Sequence, residues 1–218
     1  MKKIVLRNTG SGSSRQVAFE NGEISYMRVT TKEELEKYSD SDEYNTYSIT
    51  ESRLNYLQVN PHGPNKDVLT DEGRKALFLA LDGQEIVDAA YGSDELAAPA
   101  NSLLTPDQVD YNPDCAGYTQ DLDKAKELAE SSGLSGKTLT YIYNADRANM
   151  EAVATVIQQQ LAKIGVNLSI EGLDSTSFFQ RFFAIMYNSG QENTWDLGTN
   201  GWDSERGTSG GQAASYLK

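Results

Sequence analysis

The last third of the chain alternates between short apolar runs and longer amphipathic segments, and this alternation constrains the fold most strongly. The runs 139–143, 166–170 and 195–199 have the length and the β-branched or aromatic content of buried strands. A helix predicted to open at Asp146 carries one apolar stripe: Met150, Val153, Ala154, Ile157, Leu161 and Ile164. Connections of this length are too long for hairpins, so the sequence predicts an α/β fold whose mostly parallel or mixed sheet is flanked by helices.

A second helix is predicted between the last two runs, with Ser175 or Thr176 as its N-cap. It carries four closely spaced aromatic residues: Phe178, Phe179, Phe182 and Phe183. Aromatic side chains at helical spacing more often belong to a core than to the lining of a pocket. We therefore assign this stripe to the core.

Capping residues, apolar spacing and alternation predict the elements of the first two thirds of the chain. Helices are expected at 15–22, 31–37, 71–81 and 121–132, with a further helix after Gly83. The candidate N-caps are Thr31 for the second of these, Thr70 or Asp71 for the third, and Asp121 or Asp123 for the fourth. Strands are expected at 3–7, 24–29, 44–49 and 53–60. Residues 93–120 contain three prolines among polar residues and are expected to form a loop-rich excursion.

The charge balance and the scarcity of cysteine and histidine exclude several functional classes. The chain has 19 Lys and Arg against 32 Asp and Glu, and its net charge of -13 repels phosphate backbones, so no nucleic-acid partner is expected. Cys115 is the one cysteine of this sequence, which rules out a disulfide within it and a cysteine-rich zinc site. The one histidine, His62, lies in a Pro- and Gly-rich turn. Neither a cofactor nor a metal is predicted.

The segment after the run 195–199 has the composition of a ligand site. Trp202, Asp203, Glu205 and Arg206 follow this run, and ligands of open α/β sheets gather beyond the carboxyl ends of strands. A large aromatic side chain with acids at that place can bind an amine-bearing ligand. The same spacing also suits a tryptophan packed on the core beside exposed acids. Asp203 with Glu205 also suits the general acid and base of a small hydrolase.

Several segments, taken in order, resemble one protein family. They are Asn21-Gly22-Glu23-Ile24, the run 56–60, the helical segments 71–82, 123–133 and 154–168, and Trp195-Asp196-Leu197 followed by Gly201-Trp202. The ordered set resembles the C-terminal lobe of the family 5 extracellular solute-binding proteins, the oligopeptide- and dipeptide-binding components of ABC importers. The resemblance covers nearly the whole chain.

The resemblance implies that residues 1–218 form a single α/β lobe, a fragment of a larger two-lobe binding protein. It implies an extracytoplasmic receptor, lipid-anchored in its full-length form, that binds without catalysis. Its implied partners are a small peptide or other small solute and the ABC permease subunits in the membrane. A stand-alone protein-interaction domain is the main alternative, ahead of the acid-catalysed hydrolase.

The resemblance also implies roles for the four candidate ligand residues. In relatives that bind peptides, an Asp three residues after the family tryptophan receives the α-amino group of the peptide, and Glu205 has that spacing from Trp202. Trp202 is then an aromatic wall of the site, and Asp203 or Arg206 lies at its rim. The tyrosine and prolines that follow in the family are replaced here by residues 206–211, which leaves the class of ligand open.

Overall fold

The structure, a computed structural model, describes residues 3–10, 12–49, 51–108, 110–115, 117–184 and 193–203. The chain divides into two compact units, Met1–Thr46 and Tyr47–Lys218. The expectation that residues 1–218 form one lobe of a larger protein stays a prediction. None of the described helices is long and apolar enough to cross a membrane.

The described part of the unit Met1–Thr46 contains two helices, α1 (Gly12–Glu20) and α2 (Lys32–Ser39). Thr31 is the N-cap of α2, as predicted, because its side chain accepts a hydrogen bond from the backbone N–H of Glu34. The Glu34 carboxylate accepts hydrogen bonds from the backbone N–H of Thr30 and from the Arg15 guanidinium, both at 2.8 Å. The Arg15 contact joins α1 to α2.

Three segments that the sequence predicts as strands are not strands in the structure: 3–7, 24–29 and 44–49. Ile4, Val5 and Leu6 are 75%, 71% and 94% exposed. A strand requires a hydrogen-bonded neighbour, and no strand among the described residues pairs with these segments. Their composition shows that the side chains suit a pleated surface, not that a neighbouring strand is present.

A single four-stranded sheet organises the described part of the unit Tyr47–Lys218. Its strands are β1 (Arg53–Val59), β2 (Thr138–Asn144), β3 (Asn167–Leu173) and β4 (Leu197–Asp203), in the order β1-β4-β2-β3. Strand β2 pairs in parallel with both β3 and β4, whereas β1 pairs antiparallel with β4. The sheet is therefore mixed, which confirms the predicted α/β fold class.

Helices cover both faces of this sheet. The described helices are α3 (Asp71–Ala80), α4 (Gly83–Ala90), α5 (Leu122–Ser131), α6 (Met150–Ala162) and α7 (Ser175–Phe183). Tyr141 and Tyr143 of β2 belong to the core formed with α3, α5 and α6, whereas Ile142 packs with Phe178 and Phe182 of α7. Because consecutive residues of a strand point to opposite faces, α7 covers the face opposite to α6.

Helix α6 begins at Met150, so the predicted start at Asp146 is wrong. The Asp146 carboxylate accepts a hydrogen bond from the backbone N–H of Ser175 at 2.8 Å. The backbone N–H of Asp146 donates to Asn144 Oδ1 at 3.0 Å. These two bonds hold Asp146 in the turn after β2, where it contacts the start of α7 instead of opening α6.

The N-cap of α7 is Asp174, so the predicted caps Ser175 and Thr176 are wrong. The Asp174 carboxylate accepts hydrogen bonds from the backbone N–H groups of Thr176 at 3.0 Å and of Ser177 at 3.1 Å. A third hydrogen bond, donated by the Ser177 hydroxyl at 2.6 Å, acts together with these two to lower the pKa of Asp174 below its usual value of 3.8. A charged carboxylate is favoured at this position because the helix dipole places positive charge at the N-terminus.

Residues 93–120 connect α4 to α5. In the described part of this segment the backbone forms turns and bends, without helix or strand. Two hydrogen bonds join the end of the segment to α3. Gln120 Nε2 donates to the carbonyl oxygen of Ala80 at 3.1 Å, and the backbone N–H of Asp121 donates to the carbonyl oxygen of Leu79 at 2.9 Å. The start of α5 is therefore fixed against α3.

Candidate functional site

The carboxyl ends of the three parallel strands lie at one edge of the sheet. Strand β2 ends at Asn144, β3 at Leu173 and β4 at Asp203. The antiparallel strand β1 begins at the same edge, since Arg53 pairs with Asp203. Ligands of open α/β sheets bind at such an edge. This carboxyl edge is the candidate functional site.

Strand β4 extends beyond its neighbour β2 at the carboxyl edge. The last residue of β4 in register with β2 is Thr199, which lies opposite Tyr143. Residues 200–203 pair with β1 on one side, and no strand of the described residues pairs with them on the other. On that side β4 can add a further strand through its main-chain N–H and C=O groups.

On the α7 side of the sheet, Asn144 joins the end of β2 to the start of α7. Its Nδ2 donates a hydrogen bond to Ser175 Oγ at 3.1 Å, and its Oδ1 accepts one from the backbone N–H of Asp146 at 3.0 Å. Both polar atoms of this buried amide therefore have partners. Asn200 is the neighbouring polar residue of β4 and is also buried.

On the opposite face, Arg53 and Asn55 of β1 flank Gly201. Asn55 Nδ2 donates a hydrogen bond to the Tyr91 hydroxyl at 3.0 Å. Burial raises the pKa of Tyr91 against the lowering effects of Asn55 and Arg53, so its phenol is uncharged. A Cβ atom at Gly201 would collide with the Arg53 guanidinium and the Asn55 amide oxygen, so the glycine leaves room for both side chains.

A buried hydrogen bond lies beneath the carboxyl edge. The hydroxyl groups of Tyr141 in β2 and Thr199 in β4 are bonded to each other. Burial raises the pKa of the Tyr141 phenol, which therefore stays protonated. This bond joins β2 to β4 at the last residue of β4 that is in register with β2.

The structure places two of the four predicted ligand residues at the carboxyl edge. Trp202 and Asp203 are the last residues of β4 and pair with the start of β1. The strand therefore continues beyond its predicted end at residue 199. The side chains of Trp202 and Asp203, and all of Glu205 and Arg206, lie outside the described residues. The roles of these four residues stay proposals.

Four polar residues of the carboxyl edge were not singled out from the sequence: Asn144, Asn200, Arg53 and Asn55. Asn144 and Asn200 directly follow two of the predicted strands. The rule that selected Trp202 from its position after a strand would have found both of them. Arg53 and Asn55 carry no such signal, because they belong to a strand that runs in the opposite direction.

The structure does not bring His62 to the carboxyl edge. His62 follows the end of β1, and this end pairs with the start of β4, at the other end of the sheet. Its backbone N–H donates a hydrogen bond to Asn60 Oδ1 at 2.9 Å. Cys115 is exposed in the segment 93–120. In the part of the chain that the structure describes, no three His, Cys, Asp or Glu residues are close enough to hold a metal ion.

Comparisons with known proteins agree on one family. The sequence matches the model for bacterial extracellular solute-binding proteins, family 5 Middle, over residues 1–216. The dipeptide-binding protein of Escherichia coli is 25% identical over 184 residues, which cover 82% of this chain and 34% of that protein. The crystal structure of AppA from Clostridium difficile is similar with a TM-score of 0.72 and 34% identity, covering 87% of this chain and 38% of AppA.

A further solved structure gives the same result. The ABC transporter substrate binding protein CtaP of Listeria monocytogenes is similar with a TM-score of 0.73 and 30% identity, over 88% of this chain and 38% of CtaP. The chain therefore spans less than two fifths of the length of these three proteins. The family match covers 216 of its 218 residues and agrees with the mixed α/β fold. On this basis the chain belongs to the bacterial extracellular solute-binding proteins of family 5.

Proposed function

We propose that this chain binds a small peptide at the carboxyl edge, as part of an extracytoplasmic receptor that passes its solute to an ABC permease. The observation that carries the proposal is the extension of β4, whose residues 200–203 have no neighbouring strand on the β2 side in the described part of the chain. An extended peptide supplies such a neighbour by adding a strand to a sheet edge. The similarity to a dipeptide-binding protein supports the same class of ligand.

The four residues at and after the end of β4 have distinct roles in this proposal. Trp202 forms an aromatic wall, Glu205 receives the amino group of the peptide, and Asp203 and Arg206 lie at the rim. The position of Trp202 and Asp203 at the end of β4 supports these roles. The net charge of -13 also favours a ligand with a cationic group over an anionic one.

Glu205→Gln, introduced into the full-length protein, tests the contact between Glu205 and the amino group of the peptide. The probe is oligoalanine, at whichever length from two to five residues binds best. We expect its affinity to fall about 10- to 100-fold, because a hydrogen bond to a charged group contributes about 1.5–3 kcal/mol. The N-acetylated probe lacks the ammonium group and should bind wild type and variant equally. Isothermal titration calorimetry measures both affinities.

Glu130→Gln is the matched control for this experiment. Glu130 is exposed on α5, and this variant should bind oligoalanine like the wild type. If Glu205→Gln also binds like the wild type, Glu205 is not part of the site.

The remaining features of the proposal come from the family. Its members are described as extracellular solute-binding proteins, and the proposed receptor binds its solute without a catalytic step. In the full-length protein we propose a location outside the cytoplasm, a lipid anchor and a docking partner in the permease subunits of the membrane.

A further inference from the structure

Two Asn-Gly pairs occur in the sequence, and the structure places them in opposite surroundings. Asn21-Gly22 directly follows α1, and both of its residues are exposed. Asn200-Gly201 lies in β4, where Asn200 is 4% exposed. A Cβ atom at Gly201 would collide with two side chains of β1, whereas one at Gly22 would have no described residue within 4 Å apart from its chain neighbours. The two pairs therefore share a sequence but differ in their access to solvent.

Asn21 and Gly22 form the C-terminal cap of α1. Gly22 has a φ of 71°, in the left-handed region that favours glycine. Its N–H donates a hydrogen bond to the carbonyl oxygen of Phe19, and the N–H of Glu23 donates to that of Ala18, both at 2.9 Å. These two bonds form a Schellman motif. The nitrogen of Gly22 is available to react only while this cap is open, and helix ends open at little cost in free energy.

We propose that Asn21 is a site of spontaneous deamidation. When the cap opens, the main-chain nitrogen of Gly22 loses its proton to a hydroxide ion of the solvent and attacks Cγ of Asn21. The new C–N bond closes a five-membered imide as the Cγ–Nδ2 bond breaks, and the leaving nitrogen takes a proton from water, which releases ammonia and restores the hydroxide. Water then opens the imide at either carbonyl and leaves an aspartate or an isoaspartate at position 21. Glycine favours the attack because no side chain obstructs its nitrogen.

Either product weakens the end of α1. It adds a negative charge at the C-terminus of a helix, where the helix dipole opposes one, and this charge lies between Glu20 and Glu23. Isoaspartate also lengthens the main chain by one carbon before Gly22, so the two bonds of the Schellman motif lose their register. Because Glu20 carries hydrogen bonds to α2, the change reaches the contact between the two helices.

Peptide mapping by mass spectrometry of the full-length protein, incubated in its folded state at neutral pH, tests the site. Asn21 should convert about 100-fold faster than Asn200, or more, because a paired strand opens only with a free energy near that of global unfolding. Asn167 is an internal control for exposure, since it is exposed but precedes Leu168, and it should convert far more slowly than Asn21. Once the protein is unfolded in guanidinium chloride, Asn200 should convert as fast as Asn21.

Asn21→Gln is the matched variant. It keeps an amide at the end of α1, but its longer side chain would close a six-membered ring, which forms more slowly. After incubation the wild type should have lost the hydrogen-exchange protection of the N–H groups of Gly22 and Glu23, which their bonds to α1 provide before incubation. The incubated Asn21→Gln variant should keep the same protection as before incubation.

The outcomes decide both parts of this inference. Equal conversion of Asn21 and Asn200 in the folded protein, or conversion of Asn21 no faster than that of Asn167, overturns the site. Conversion at Asn21 that leaves the protection of Gly22 and Glu23 unchanged overturns the effect on α1. Fast conversion at Asn21 alone in the folded protein, with loss of that protection, supports the inference. None of these measurements requires a bound solute, so the proposed function is tested separately.

Discussion

Asp196 is a fully buried carboxylate at the end of the sheet opposite to the carboxyl edge. It accepts three hydrogen bonds: from the backbone N–H of Asn65 at 2.8 Å, from Asn65 Nδ2 at 2.9 Å and from the backbone N–H of Thr140 at 2.9 Å. Asp196 therefore joins the loop after β1 to β2 and to the start of β4.

Asp196→Asn should lower the free energy of unfolding by about 2–3 kcal/mol. The substitution replaces a charged acceptor by a neutral one, and hydrogen bonds to a charged group contribute about 1.5–3 kcal/mol each. It also replaces one acceptor oxygen by an NH2 group, which then faces the N–H groups of Asn65 or Thr140. Urea unfolding at neutral pH measures the change. Asp67→Asn alters an exposed residue of the same loop and should have no effect. Equal stability of Asp196→Asn and the wild type would show that the buried carboxylate is not required.

At the scale of elements, Glu20 joins α1 to α2. Its Oε1 accepts hydrogen bonds from Lys37 Nζ and from the Tyr38 hydroxyl, both at 2.6 Å. The hydrogen bonds from Lys37, Tyr38 and Gln16 lower the pKa of Glu20 from 4.5 to about 2. Burial and the contact with Glu20 raise the pKa of Tyr38 to about 12. At neutral pH the carboxylate is therefore ionised and the phenol is protonated.

Acidification should remove the stabilising effect of Glu20. Because the pKa of Glu20 is lower in the folded state, its contribution is present above pH 4.5 and is lost as the pH falls towards 2. Glu20→Gln should therefore lower the melting temperature of α1 and α2 at neutral pH and have little effect near pH 2. Circular dichroism measures both values.

Glu43→Gln is the control for the pH experiment, because Glu43 is exposed and lies outside the two helices. It should not change the melting temperature at either pH. If Glu20→Gln lowers the melting temperature by the same amount at neutral pH and near pH 2, ionisation of Glu20 does not stabilise the two helices.

Helices could be predicted from the sequence more reliably than strands. Thr31, Thr70 and Asp121 are N-caps in the structure, and each was a candidate cap in the sequence. The cap and the apolar stripe of a helix lie within one segment, so local sequence is sufficient. The three strands predicted before residue 50 are wrong because a strand also depends on a neighbour that its own sequence does not specify.

At the scale of the whole molecule, the sequence predicted the carboxyl edge but only part of its chemistry. The order of apolar runs and helices implies parallel strands, which was sufficient to place Trp202 and Asp203 there. The pairing of β1 with β4 joins segments that are far apart in the chain, and this pairing brings Arg53 and Asn55 to the edge. Such long-range pairing is not visible in the local pattern of either segment.

The central claim is that a peptide binds along the carboxyl edge. Hydrogen exchange of the protein as the cell makes it, with and without oligoalanine, tests this claim most directly. The account predicts slower exchange of the backbone N–H groups of residues 200–206 and 144–147 when the peptide is bound, with unchanged exchange in α5. Bound peptide that leaves the exchange of residues 200–206 unchanged would contradict it.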